Sequence, residues 1–234
     1  MSTDNVKSVA IVQSNYIPWK GYFDLIRSVD EFILLDDVQY TRRDWRNRNQ
    51  IKTPHGVAWL TIPVECKGKY AQKIRDTMTS DTAWAVAHWK TVRNFYARSP
   101  YFPEYRDRFE ELYTNCSLRY LSEINFRFLT AICDMLDIGT KVTWSTDYEL
   151  AEGKTDRLLH LCRQAGAAVY LSGPAAKAYM DIGAFSQAGI KVRFADYSGY
   201  PEYRQLYPPF RHDVSIIDLL LNEGPDAAAY MKIL

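Results

Sequence analysis

Chemistry at neutral pH needs a proton carrier, an anion clamp and polar groups that fix a substrate, and this sequence offers a short set of each. Of its four histidines, His88 falls on a helical stripe with Trp84 and Val92. An ordinary pKa of about 6.5 makes it the leading general base, although an apolar helix face is also the usual setting of a structural histidine. His212 beside Asp213 is the second candidate. Asp36 and Asp37 close a short apolar run. Asp36 is the catalytic carboxylate candidate, suited to a ribose or sugar hydroxyl, against a plain loop or capping role. Arg42, Arg43, Arg46 and Arg48 crowd one polar segment. Guanidinium matches phosphate bidentately, and Arg48, flanked by Asn47 and Asn49, is the favoured clamp. Arg42 and Arg43 read more simply as a solvated face. Lys20, next to Gly21 at a helix start, adds a cation where free N–H groups favour phosphate.

These residues need elements to position them. Residues 9–12 and 32–35 read as buried strands. Between them Trp19, Tyr22, Phe23 and Ile26 recur at helical spacing after Pro18, so the stretch is a βαβ unit with parallel strands. Residues 39–52 read as a polar segment and 57–64 as a third strand. Three helices are expected over 84–95, 103–113 and 118–136. Strands follow at 142–145, 169–171 and 191–195, and helices at 156–165, 175–180, 213–222 and 227–234. The expected fold is a single α/β domain over residues 1–234, a three-layer Rossmann-like, mainly parallel sheet with a helical insert at roughly 80–136.

In such a sheet, ligands sit outside the carboxyl ends of the strands. Four polar loops would converge there: Gln13-Ser14-Asn15-Tyr16, Asp36-Asp37-Val38-Gln39, Ser172-Gly173-Pro174 and Asp196-Tyr197. Gln13, Asn15, Tyr16, Lys20, Gly21, Gln39, Arg48, Asn49, Ser172 and Gly173 are therefore the expected substrate contacts. Tyr203 and Gln205 join them from a tyrosine-rich stretch, since aromatic rings stack on sugars or bases. Gly21 would admit a ligand or a neighbouring backbone, and the tyrosines could equally be packing for a long loop.

Composition narrows the function classes. The chain has 29 Lys+Arg against 28 Asp+Glu and a formal net charge of +1, which argues against DNA binding by phosphate neutralisation. No apolar run approaches the ~20 residues of a membrane span, and the polar start carries no secretory leader pattern, so a cytoplasmic protein is expected. Cys66, Cys116, Cys133 and Cys162 lack metal-ligand spacing; reduced thiols and no metal site are expected, and the sequence names no cofactor. Aromatic residues make up 14% of the chain. With near-zero charge, their frequency in loops favours a small polar ligand.

Two resemblances follow. Trp19-Lys20-Gly21-Tyr22 stands where nucleotidylyltransferases and class I aminoacyl-tRNA synthetases carry His-x-Gly-His, with both imidazoles replaced. This implies a similar arrangement over about the first 40 residues and an ATP-using, adenylate-forming alternative. Much closer, the string from Gln13 to Asp24, Leu35-Asp36-Asp37-Val38-Gln39-Tyr40, Arg46-Asn47-Arg48-Asn49, Trp59-Leu60-Thr61-Ile62-Pro63-Val64, the His88-Trp89 pair, Tyr203-x-Gln205 and Ser215-Ile216-Ile217-Asp218 resemble the WbqC-like family across nearly the whole chain. That family is encoded in bacterial O-antigen and surface-polysaccharide loci. The resemblance implies a cytoplasmic group transferase, acyl or aminoacyl, acting on a nucleotide-linked amino sugar; a non-catalytic nucleotide-sugar-binding protein is the other alternative. An aminoacyl-tRNA or carrier-protein donor and a homo-oligomer stay open.

Overall fold

A computed structural model describes residues 6–234; the polar start read above lies largely in residues 1–5, outside the described residues. Strands β1 (Ser8–Val12), β2 (Glu31–Leu34), β5 (Lys141–Trp144), β6 (Val169–Ser172) and β7 (Lys191–Phe194) form one sheet in the order β5-β2-β1-β6-β7. Every pairing in it is parallel. The central strands β1 and β2 are short, apolar and almost wholly buried, as expected where both faces of a parallel sheet are covered.

Alternate side chains of the same strands feed two cores. Ala10, Phe32 and Leu34 face a large core with helices α1 (Lys20–Arg27), α2 (Ala83–Tyr96), α3 (Phe102–Thr114), α4 (Leu121–Met135) and α7 (Ile216–Glu223). Val9, Ile11 and Ile33 face a smaller core with α5 (Lys154–Gln164) and α6 (Ile182–Gln187). The result is the expected three-layer, Rossmann-like α/β arrangement. The α2, α3 and α4 helices all lie in the crossover from β2 to β5. Their stripes are the ones the apolar spacing marks: Trp84, His88 and Val92 are buried on α2, and Ile124, Phe128 and Ile132 on α4.

The structure departs from the sequence reading in three places. Residues 57–64 do not extend the main sheet. Strand β4 (Gly56–Thr61) pairs antiparallel with β3 (Arg48–Thr53) in a separate hairpin closed at Thr53 and Gly56. The second half of the polar segment is thus a strand, with Asn49 and Ile51 buried beneath and Arg48 and Gln50 above. Polar residues on one face mask a half-buried strand from any reading that looks for apolar runs. The short helix α6 has only six residues and one buried side chain, Phe185, too little for a visible stripe. The stretches expected as helices near 175–180 and 227–234 are 3₁₀ segments, Pro174–Ala178 and Gly224–Tyr230. Among the described residues no helix is long and apolar enough to cross a membrane.

Candidate functional site

Chain order runs outward from β1 to β2 and β5, then returns to the far side of β1 for β6 and β7. The direction therefore reverses between β1 and β6, and the crevice at such a switch point is where open α/β sheets take ligands. A cleft of about 910 Å³ opens there, lined by the residues that follow β1, β2 and β6 and by the start of α5. Its volume lies within the ~300–1,000 Å³ of small-molecule sites.

The β1–α1 loop forms one wall. Gln13 and Asn15 line the cleft. Arg46 lies behind them, donating to the Asn15 side-chain oxygen and, at 3.5 Å, to the Gln13 carbonyl. The loop is strained: Ile17, wholly buried, has φ of +38°, a region β-branched residues avoid. Such strain persists only where surroundings over-determine it, and it clusters at ligand loops. Ser14 holds the loop to β2, its amide donating to Asp36 at 2.8 Å.

Trp19 forms the aromatic part of the wall. Its ring meets Tyr197 and Tyr200 edge-on at 5.2 and 5.7 Å. It folds back over Gly21, where a Cβ would stand 2.3 Å from the indole. Gly21 is thus required by the Trp19 ring, a close approach made by a neighbouring side chain. Trp45, 42% exposed, reaches the cleft from the polar segment.

The opposite wall is cationic. Helix α5 begins at the cleft with Gly153 as its N-cap, which makes no side-chain cap bond, and the first-turn acid Asp156 sets a carboxylate oxygen over Gly153, 2.9 Å from where a Cβ would stand. Lys154 and Arg157 project from its first turn. Arg157 donates to the Ala151 carbonyl at 3.0 Å and approaches Asp37 at 3.7 Å. Asp37 is buried, and the oxygen facing Arg157 has no hydrogen-bond partner. Ser172, the last residue of β6, and Gly173 after it close the floor.

The sequence-predicted residues divide. Gln13, Asn15, Ser172 and Gly173 come together in this cleft. Most of the others occupy packed surroundings, while Gln39 and Arg48 lie toward the surface. Tyr16 is wholly buried and its hydroxyl lies 2.9 Å from His88 Nδ1 and 3.0 Å from the Tyr113 hydroxyl. Burial pulls the His88 pKa down to about 4, partly offset by a backbone bond at Thr61. Asp36 is buried, raised by desolvation, and accepts from the Ser14 amide and the Ser122 hydroxyl.

Lys20 turns inward, 4.7 Å from the Tyr200 ring and 5.3 Å from the Tyr203 ring, donating to the Pro201 carbonyl. Burial lowers its pKa to about 8, with Asp24 opposing. Tyr203 donates to Asp218 at 2.8 Å, and Gln205 bonds Tyr203 and the backbone of Arg211. Asn49 donates to the Tyr16 carbonyl at 3.2 Å, tying the hairpin to the β1–α1 loop. Gln39 is exposed and donates to the Tyr70 carbonyl. Arg48 lies on the outer face of the hairpin, over Trp59.

Sequence reasoning overlooked Lys154 and Arg157 as cleft residues. The signal was available in Gly153: a glycine just before an amphipathic stretch marks an N-cap, which sets Lys154 and Arg157 in the first turn.

The chain is 51% identical over 227 residues to the uncharacterized protein Rv1507c of Mycobacterium tuberculosis (strain ATCC 25618 / H37Rv), covering 97% of this chain and 98% of that protein. No solved structure matches the chain. The model of the WbqC-like protein family matches residues 13–230, a span that runs from the first cleft residue of the β1–α1 loop to the last 3₁₀ segment, and the chain belongs to that family.

Proposed function

We propose that the protein binds a nucleotide-linked amino sugar in the switch-point cleft and transfers an acyl or aminoacyl group to it, in the making of bacterial surface polysaccharide. The observation that carries this reading is the pairing of walls. The start of α5, with Lys154 and Arg157 in its first turn, suits a diphosphate that displaces the Asp156 carboxylate from over Gly153. Trp19, Trp45 and Tyr197 across the cleft suit a base or sugar ring. Gln13, Asn15 and Ser172 supply directional hydrogen bonds, and the resemblance to the WbqC-like family supports a place in surface-polysaccharide synthesis. In this reading His88 and Asp36 are positioning residues. Through Tyr16 and Ser14 they hold the loop that carries Gln13 and Asn15.

One observation favours a second reading, a binding protein without turnover. The described residues lining the cleft include no His, Cys, Asp or Glu, so proton transfer would fall to Lys154, to a tyrosine hydroxyl such as that of Tyr197, or to the substrates and water. Calorimetry with UDP-N-acetylglucosamine and other nucleotide-linked amino sugars tests the site, with Arg157→Ala expected to weaken binding roughly tenfold. Mass spectrometry of the sugar after incubation with acyl and aminoacyl donors separates the two readings. A mass gain supports transfer, and saturable binding with no gain from any donor supports the second. Absence of saturable binding contradicts both.

A further inference from the structure

We propose that the outer face of the β3–β4 hairpin is a second ligand site, for a nucleoside phosphate, distinct from the switch-point cleft and joined to it by Trp45. The pairing register puts Gln50 opposite Trp59 and Arg48 opposite Thr61. Residues two apart share a face, so Arg48, Gln50, Trp59 and Thr61 form one outward surface while Asn49, Ile51 and Leu60 point to the core. The Arg48 guanidinium lies 4.1 Å from the Trp59 ring centroid. Trp45 lies 5.5 Å from the same ring at a 35° tilt, and both indoles are 42% exposed. Large aromatic rings this open are costly to leave in water, and every nucleobase offers them a π-face.

Beside the platform is a concavity of about 520 Å³ lined by Tyr40, Arg42, Arg43, Asn47, Arg48 and Thr61, among others. Three guanidinium groups around one hollow are the geometry of phosphate recognition. Two are already braced. Arg42 donates to the Cys66 carbonyl and Arg48 to the Arg43 carbonyl. Arg43 makes no side-chain bond among the described residues, and its backbone is left-handed, with φ of +59°, a strained state that clusters at ligand sites.

Two polar atoms of the outer face, Arg48 Nε and Gln50 Oε1, are shielded from solvent with no hydrogen-bond partner, a state native proteins seldom leave without a reason. The nearby acid Asp44 is engaged by the Thr41 hydroxyl and the Trp45 amide. A phosphate in the hollow with its base on the exposed indoles would use the guanidiniums and the rings together. Trp45 lines the cleft as well, so ligands at the two sites would be neighbours across a single ring. The same chemistry is presented by a free nucleotide and by the single-stranded end of an RNA.

The test uses the full chain at fixed salt. UMP, AMP, a six-nucleotide single-stranded RNA, uridine, adenosine and inorganic phosphate are titrated, with the Trp59 indole N–H signal followed by NMR and affinity by calorimetry. The expected result is a Trp59 shift with a phosphorylated probe, roughly tenfold weaker binding of that probe in Trp59→Ala, and recovery in Trp59→Phe. Arg43→Ala weakens the same probe and flattens its salt dependence, and the unphosphorylated nucleosides bind at least several-fold less well. Binding of UMP or AMP identifies a free nucleotide as the ligand; binding of the RNA alone identifies an RNA end. Trp59 is partly exposed and outside both cores, so an unchanged melting temperature of Trp59→Ala establishes that the variant is folded. The site is overturned if no phosphorylated probe binds saturably, if Trp59→Ala and Arg43→Ala leave affinity unchanged, if nucleosides bind equally, or if probes shift Trp19 and not Trp59.

Discussion

Tyrosines and amides do opposite work on the two sides of the β1–α1 loop. Behind it they close on one another. Asp218 accepts from Tyr96 at 2.7 Å and Tyr203 at 2.8 Å, Tyr16 joins His88 and Tyr113, and Tyr200 donates to Asp24. All of these residues are buried. In front of the loop, Gln13, Asn15, Trp19, Tyr197, Lys154 and Arg157 face an open cleft. Asp24, Asp218 and His88 fall on the sealed side alone, but tyrosines and amides occur on both, and for them the supply of partners separates the two regions. A buried polar group that has found its partners is structure, because leaving it unpaired costs about 1–3 kcal/mol. A polar group set on a firm backbone with capacity unused is available to a ligand. The sealed networks lie next to the cleft, and they hold its strained loop in place.

That contrast can be broken at several points, and the largest effect belongs to the sealed side. Asp218→Ala strands the Tyr96 and Tyr203 hydroxyls in the core and is expected to cost about 3 kcal/mol or more. Urea unfolding measures it, and a loss under about 1 kcal/mol would mean the network is not closed. His88 supplies a pH signature. Its pKa of about 4, held down by burial, lies below the ordinary value, so the folded chain binds fewer protons than the unfolded one between the two. Stability therefore falls as pH drops from about 6.5 toward 4, by up to ~3 kcal/mol. Asp24, pushed up to about 6 mainly by burial, acts in the opposite direction over part of that range. The quantity to measure is the difference between wild type and His88→Asn, which should shrink steadily on acidification; a flat difference would place His88 in contact with water.

On the boundary of the two regions, Gly21→Ala forces the Trp19 ring off its seat. A cost of about 1–3 kcal/mol is expected from overpacking, together with altered near-ultraviolet dichroism and weaker nucleotide-sugar binding. On the open side, Lys154→Ala should leave stability within ~0.5 kcal/mol while reducing ligand affinity about three- to tenfold, read by calorimetry. Equal losses of stability and affinity there would erase the distinction between the regions.

Much of the fold was legible because it rests on apolar runs and helical stripes. The βαβ opening, the three middle helices and the return to short strands all show in residue spacing. The hairpin was half hidden, since β3 spends its outward positions on Arg48 and Gln50. The candidate site was legible where it follows from topology: a parallel sheet brings the residues at the ends of β1 and β6 together, and Gln13, Asn15, Ser172 and Gly173 line the cleft there. It was illegible where it depends on which way a side chain turns. Lys20 and Arg157 are both cations at helix starts. Lys20 turns in toward Tyr200 and Tyr203, while Arg157 borders the cleft, and no spacing rule distinguishes them.

The most direct test of the open-cleft account is the indole N–H spectrum during titration with UDP-N-acetylglucosamine. Trp19 stands in the cleft wall, whereas Trp84 and Trp89 are buried among α2, α3 and α4. The account predicts a saturable shift of Trp19 that weakens in Lys154→Ala, with Trp84 and Trp89 unmoved. A shift confined to Trp84 and Trp89, or a Trp19 signal indifferent to ligand at millimolar concentration, would contradict it.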